Sequence, residues 1–327
     1  MQTDHQPHVL VTGGAGFIGS HVVDSLLRDG FSVTVLDNFD PFYPRAMKER
    51  NIAAHRQHSS WELVEGDLRD LEVMRTRLHG RWDAVIHLAA RAGVRGSVKD
   101  PIGFYDVNVR GTQNLLELAR ERGVRQFVFA SSSSVYGANS RLPWREEDAD
   151  LRPISPYAST KLSAEFLGRV YSHLFQMRFI ALRFFTVYGP RQRPDLAIRK
   201  FAELIQAGRP VPLFGDGTTS RDYTYVDDIV SGIVAALRFD RSMFEIINLG
   251  NNRTVTMLEM VHGIEQALGL PATLDRLPEQ PGDVPRTWAA IEKARTLLGY
   301  EPRTTYAEGV GRFVTWLRES HEAAARH

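Results

Sequence analysis

Thr12-Gly13-Gly14-Ala15-Gly16-Phe17-Ile18-Gly19 decides the reading of this chain. It follows a β-branched run, His8–Thr12, and opens a segment, residues 18–29, whose apolar positions Ile18, Val22 and Leu26 recur at helical spacing and stop at Gly30. Gly13 and Gly16 permit a tight turn and close backbone approach, and Gly19 lets the helix pack near the strand. The helix N-terminus then presents unpaired N–H groups to a pyrophosphate. A second strand, residues 32–36, runs into Asp37, 18 residues beyond Gly19. A carboxylate there accepts hydrogen bonds from ribose hydroxyls and repels a 2′-phosphate, which favours NAD over NADP. A glycine triplet alone could be a chance turn. Strand, helix and acid in register argue for a dinucleotide site.

Outward from this unit, short apolar runs alternate with helical patterns. Strands are expected at 61–65, 84–88, 126–130 and 178–184, with long helices at 106–122 and 157–173. Continuous apolar strands separated by helices indicate an α/β fold, a Rossmann-type doubly wound parallel sheet covered on both faces. After about residue 184 prolines punctuate the pattern. Short strands at 211–214 and 245–249, and helices near 196–207, 227–237, 256–268 and 306–319, suggest a smaller mixed α/β substrate-binding domain. The expected division is 1–182 and 183–327, with a segment near 221–240 packing back on the first domain.

Composition narrows the function classes. The 327 residues contain no cysteine, which excludes disulfides, thiolate metal sites and a cysteine nucleophile. No metal ligand set is expected. Forty basic and 39 acidic residues leave a net charge of +1, so no bulk field recruits nucleic acid or membrane. Residues 1–8 are polar and no stretch approaches the roughly 20 apolar residues of a membrane span, so a soluble, cytoplasmic protein is expected.

Four further features carry chemistry. Asp67, after the third strand, could accept from an adenine amino group or simply form a turn. Ala89 and Ala90 are small enough for a cofactor to lie on the strand ends, whereas His87, inside an apolar strand, reads as a hydrogen-bonded core residue. Tyr157 and Lys161 stand at i and i+4, on one helix face. An ammonium near a phenol favours the phenolate and would lower the tyrosine from about 10 toward the working range, so that it can take a proton from a sugar hydroxyl. By itself the pair could be an ordinary surface contact, although Lys161 is one of only five lysines. Ser131 to Ser134 end the fifth strand, beyond which ligands of such sheets bind.

Together the glycine loop, the serine run and the Tyr-x-x-x-Lys spacing resemble an extended short-chain dehydrogenase/reductase acting on nucleotide sugars, over nearly the whole chain. Arg183-Phe184-Phe185-Thr186-Val187-Tyr188-Gly189-Pro190, Arg193-Pro194-Asp195, Arg221-Asp222-Tyr223-Thr224-Tyr225-Val226-Asp227-Asp228 and Gln280-Pro281-Gly282-Asp283-Val284 are similar to UDP-glucuronate 4-epimerases. The resemblance implies Ser132, Tyr157 and Lys161 as the catalytic trio. Counting back three from Val135-Tyr136-Gly137 gives Ser132, and a one-residue slip would give Ser133. It implies NAD bound by Gly13, Gly16, Phe17, Ile18 and Gly19, by Asp37, Asn38, Asp67 and Leu68, by Leu88, Ala89, Ala90 and Asn108, and by Tyr157 and Lys161. On the substrate side Ser132, Ser133, Ser134 and Thr186 would face the sugar. Arg221 would bind the UDP phosphates, or else form a surface ion pair. Phe214 would lie near the uracil, and Arg95, Arg193 and Asp283 are further candidates.

The implied reaction inverts C4. Hydride passes to NAD as Tyr157 takes the 4-hydroxyl proton, the 4-keto sugar rotates, and both return on the other face. A ketone at C4 beside a C5 carboxylate is a β-keto acid. Ser133, Ser134 and Thr186 are expected to hold that carboxylate out of alignment for loss of carbon dioxide. Many UDP-glucose-type enzymes have asparagine where Thr186 stands, and the decarboxylases carry a glutamate within the run occupied by Ser132 to Ser134. A UDP-glucose or UDP-N-acetylglucosamine 4-epimerase, the decarboxylase and a catalytically silent dinucleotide-sensing scaffold are the competing readings. Gly96 departs from the aromatic residue usual after the Ala-Gly-Val-Arg segment. The helices at 106–122 and 157–173 resemble those that pair in a homodimer.

Overall fold

The computed structural model describes residues 6–278 and 284–325. Its strands are β1 (His8–Thr12), β2 (Ser32–Asp37), β3 (Trp61–Glu65), β4 (Ala84–His87), β5 (Gln126–Ser132), β6 (Arg178–Phe184), β7 (Thr186–Tyr188), β8 (Val211–Phe214), β9 (Ser220–Tyr225), β10 (Phe244–Leu249), β11 (Thr254–Thr256) and β12 (Leu274–Leu277). Seven of them form one sheet in the order β10-β6-β5-β4-β1-β2-β3, every neighbouring pair parallel. The chain winds outward one way from β1 through β2 to β3 and the other way from β4 onward. The crossover connections therefore part company between β1 and β4, and a crevice opens at the carboxyl ends of those strands.

The helices are α1 (Phe17–Arg28), α2 (Arg45–Asn51), α3 (Leu71–Arg77), α4 (Val94–Lys99), α5 (Pro101–Tyr105), α6 (Gly111–Glu121), α7 (Pro156–Phe175), α8 (Ala197–Gln206), α9 (Val226–Leu237), α10 (Met257–Leu268), α11 (Glu292–Leu298) and α12 (Tyr306–Ala325). α1 and α9 cover one face of the sheet through Val22, Leu26, Ile229 and Ile233, packed with Val9, Val11 and Ile180. α6 and α7 cover the other through Leu115, Leu116 and Ala164 on Phe127 and Phe179, whose rings stack at 5.3 Å. Burying such side chains contributes about 1.5–3 kcal/mol each. This two-sided burial is why the strands read as apolar runs rather than alternating ones.

Beyond β6, β7 and β9 pair in parallel and β11 joins antiparallel, while β8 and β12 form a two-stranded parallel sheet. The strand expected at 245–249 lies in the large sheet beside β6, not among these small sheets. The helix expected at 106–122 begins earlier. Asp100 caps α5, accepting from the Gly103 N–H at 3.0 Å, and Pro101 occupies the first turn. A wide, π-type turn at Asp106–Arg110 then leads into α6. β5 extends two residues past the expected end and includes Ser131 and Ser132.

Candidate active site

A cavity of about 380 Å³ lies over the crevice, bounded by the glycine loop, the ends of β2, β4 and β5, the start of α7 and the segment 184–196. The loop's fit to a phosphate follows from its backbone. Gly13 adopts φ +73°, and a Cβ there would lie 2.8 Å from the Ala89 nitrogen. A Cβ on Gly19 would fall 2.1 Å from the Gly13 carbonyl oxygen. Neither position admits a side chain, and α1 starts with no side-chain cap and no acidic residue in its first turn. These features suit a pyrophosphate.

Asp37 ends β2 and borders the cavity, buried. Its Oδ1 accepts from the Phe39 N–H at 2.9 Å and from Lys48 Nζ at 3.3 Å, and its Oδ2 accepts from the Ala15 N–H at 3.2 Å. Lys48, on α2, also borders the cavity. Asn38 donates to Asp67 Oδ2 at 2.9 Å. Arg69 grips the Asp67 carboxylate at 2.9 and 2.8 Å and, as the main cause, holds it well below the usual carboxylate range. Asp67, Leu68, Leu88, Ala89, Ala90, Phe17 and Ile18 all line the cavity. Asn108 is not among the lining residues. Its amide exchanges two hydrogen bonds with the Arg91 backbone, at 2.8 and 2.9 Å, and donates to Thr160 Oγ1 at 3.0 Å, so it fixes the wall from behind.

His87 is buried between Thr12 Oγ1 at 2.7 Å and Thr112 Oγ1 at 2.9 Å, and burial pushes its pKa down to about 3. It is a neutral core histidine, as the strand suggested.

Ser155 caps α7 by accepting from the Ala158 N–H at 3.2 Å, with Pro156 at the first helical position. This fixes Tyr157 in the first turn, on the cavity wall, with Phe104 edge-on at 6.3 Å. Lys161 follows one turn later. Its ammonium lies 5.9 Å from the Tyr157 ring centre and donates to the Ala130 carbonyl at 2.7 Å. Burial lowers its pKa to about 7. Burial likewise pushes the Tyr157 phenol above its ordinary value, against a hydrogen bond from Ser132 and the positive charge of Arg193. Desolvation thus governs the phenol, the opposing influences are Ser132 and Arg193 rather than the expected Lys161, and the ammonium is turned to a backbone oxygen.

The serine run divides its tasks. Ser131 donates to the buried Glu165 at 2.5 Å, and Glu165 is clamped by Arg183 at 2.9 and 2.8 Å. Ser132, which like Ser131 borders the cavity, bonds Tyr157. Its oxygen accepts from the Ser134 N–H at 3.2 Å and from Ser134 Oγ at 2.9 Å. Both lone pairs are thus taken, which leaves the Ser132 proton for Tyr157. Ser133 and Ser134 open a 3₁₀ turn and do not line the cavity.

Thr186 and Arg193 do line it. Arg193 bonds Asp195 at 2.9 and 2.7 Å and stands 5.2 Å from the ring centre of Phe42. Arg95, Phe214 and Arg221 lie outside this lining. Arg95 stands 5.7 Å from the Phe214 ring centre, and half-buried Arg221 bonds the Ser220 carbonyl at 2.9 Å. Asp283 falls outside the described residues. Tyr43, Phe42, Lys48 and Phe104 line the cavity but were missed in the sequence, where no local pattern marks them.

A Tyr-Lys-Ser cluster beside a dinucleotide cradle fits proton transfer coupled to hydride transfer. The comparisons agree with this chemistry. Residues 9–250 match the model of the NAD dependent epimerase/dehydratase family. The chain is 38% identical over 334 residues to a probable UDP-glucuronate 4-epimerase of Rhizobium meliloti (strain 1021), covering 96% of this chain and 98% of the relative. It is 39% identical over 317 residues to the UDP-glucuronate 4-epimerase of Thermodesulfobacterium geofontis (strain OPF15), covering 96% and 97%. The crystal structure of UDP-glucuronic acid 4-epimerase from Bacillus cereus in complex with UDP-glucuronic acid and NAD superposes with a TM-score of 0.88 at 37% identity, covering 96% of this chain and 99% of that one. With fold, cradle and cluster in place over the matched length, this chain belongs to the NAD dependent epimerase/dehydratase family.

Proposed function

We propose that the protein interconverts UDP-glucuronate and UDP-galacturonate by inverting C4. The observation that carries this reading is the Tyr157 phenol on the cavity wall, bonded by Ser132 and backed by Lys161, in a chain whose relatives are named for that reaction. NAD held by these residues would supply a hydride acceptor and donor for C4. Tyr157 takes the 4-hydroxyl proton and gives it back on the opposite face. Ser132, its lone pairs occupied by Ser134, directs its own proton at the reacting oxygens. Lys161, tethered to Ala130, contributes positive charge beneath the phenol. The glycine loop, Asp37 and the alanines after β4 hold the dinucleotide, and Asn108 steadies that wall.

Thr186 and Arg193 face the sugar carboxylate. Ser134 acts on the substrate through Ser132 rather than by touching it. Arg221 and Phe214 anchor the diphosphate and uracil, remote binding that keeps the substrate while the sugar turns. Arg95, packed on Phe214, closes the same end.

Two copies associate through α5 to α7. Ile102, Phe166, Val170 and Leu174 are 82%, 61%, 49% and 60% exposed, an apolar stripe unusual on a lone domain. Sedimentation at micromolar concentration should give twice the chain mass. No helix among the described residues is long and apolar enough to cross a membrane, and a nucleotide-sugar reaction using NAD suits the cytoplasm.

The test is incubation of the protein with UDP-glucuronate and proton NMR of the products. UDP-galacturonate at equilibrium supports the reading. A UDP-pentose, or turnover of UDP-glucose alone, overturns the assignment of substrate, and no turnover of any UDP-sugar overturns the enzymatic reading.

A further inference from the structure

We infer that Asp24, on α1, is a positioning residue that holds Arg193 in the cleft by pinning the turn around Arg191. Arg191 has a left-handed backbone, φ +63°, which a side chain bearing a Cβ adopts only when its surroundings impose it. The imposing contacts come from α1. Asp24 Oδ2 bonds Arg191 Nη1 at 2.7 Å, and His21 Nε2 donates to the Pro190 carbonyl at 2.9 Å. Asp24 is itself fixed: its Oδ1 bonds Nε2 of the buried His55 at 2.5 Å. From the other side Arg199 Nη1 donates to the Gln192 carbonyl at 2.7 Å. The turn is gripped at 190, 191 and 192, and the next residue is Arg193, which lines the cavity.

The first helix of the dinucleotide-binding unit, whose N-terminus faces the cofactor, thus holds on its side the segment that forms the opposite wall of the cleft. Asp24 itself does not line the cavity. Releasing it frees the turn to leave its left-handed state and lets Arg193 drift from its place near Tyr157. A 1 Å misplacement suffices to weaken a positioned contact. The effect on substrate rests on the proposed role of Arg193 toward the sugar.

The experiment compares full-length Asp24→Asn, Arg193→Ala and the double variant. Asp24→Asn should speed backbone hydrogen exchange at residues 190–195 and raise KM for UDP-glucuronate about tenfold, with kcat changed far less. Its effect on KM should vanish in the Arg193→Ala background, as expected of residues acting through one another. Unchanged exchange at 190–195 overturns the pin. Faster exchange with KM unaltered, while Arg193→Ala raises it, overturns the positioning role. If Arg193→Ala leaves KM unaltered, the substrate role of Arg193 falls, and the exchange measurement still decides whether Asp24 holds the turn.

Discussion

Lys161 Nζ donates to the carbonyl oxygen of Ala130 at 2.7 Å, tying the active-site helix α7 to the end of β5. The bond brings an ammonium into a site where burial lowers its pKa to about 7, from 10.5 in the unfolded chain. A group whose folded pKa is depressed in this way binds its proton more weakly in the native state. Between pH 7 and 10.5 the unfolded chain holds the extra proton, so stability rises with pH across that window. The thermal midpoint of the dinucleotide-stripped protein should climb from pH 7 to 9 more steeply than that of Lys161→Met. Equal slopes would mean that Lys161 titrates normally.

Asp37 and Lys48 lie 3.3 Å apart, both buried at the cavity edge. Replacing Asp37 by alanine removes the carboxylate proposed to accept from the ribose and takes away Lys48's partner. NAD affinity should fall at least tenfold, about 1.4 kcal/mol or more, and NADP should gain relative to NAD because the repelling carboxylate is gone. Fluorescence titration with the two reduced dinucleotides measures the ratio. An unchanged preference would show that Asp37 does not read the ribose.

Asp222 carries a buried carboxylate with no cation bridged to it among the described residues. Oδ1 accepts from the Asn251 N–H at 2.7 Å and Thr224 Oγ1 at 3.3 Å, and Oδ2 accepts from the N–H groups of Asn252 and Ala289, each at 3.1 Å. Burial raises its pKa to about 6, from 3.8. Because the folded value lies above the unfolded one, its contribution to stability diminishes as pH rises from about 4 to 6. Asp222→Asn turns an amide N–H₂ toward donors and should destabilise by about 2–3 kcal/mol. It should also loosen β9, the strand that carries Arg221. Chemical denaturation at pH 7 checks the first effect, and a stability loss below about 0.5 kcal/mol would contradict the bond pattern.

Thr186 is the one neutral hydroxyl on the cavity wall outside the serine run that the sequence assigned to the sugar carboxylate. Thr186→Ala should increase the UDP-pentose fraction among the products, as the β-keto acid finds the alignment for losing carbon dioxide. Product partition by NMR, beside the KM of the same variant, measures it. An unchanged partition with unchanged KM would remove Thr186 from that role.

The parts of the molecule legible in the sequence are those set by local pattern. Gly13, Gly19 and Asp37 announce themselves because a turn, a close approach and a strand end each demand a residue type. Tyr157 and Lys161 do so through their spacing. The three-residue strands β7 and β11 offer no alternation to read. Lys48 reaches Asp37 from a helix that only the fold brings near, and Phe104 meets Tyr157 across a 53-residue separation. The sign of the Tyr157 shift was missed for a related reason. Spacing reports that an ammonium is close, whereas desolvation depends on everything packed around the pair. Counting along the serine run leaves Ser132 and Ser133 one residue apart, whereas in the fold Ser132 borders the cavity and Ser133 opens the 3₁₀ turn outside its lining.

The wide turn at Asp106–Arg110 gives its helix one residue more than a regular winding requires. Excising a single residue there would leave an unbroken rod, with the Asp100 cap and the Leu115–Leu116 ridge in their old phase. What would be lost is the pose of the Asn108 amide against Arg91 and Thr160. That surplus residue sets the Asn108 amide behind the cleft, so a shortened variant should catalyse worse than its parent while keeping the path of the helix.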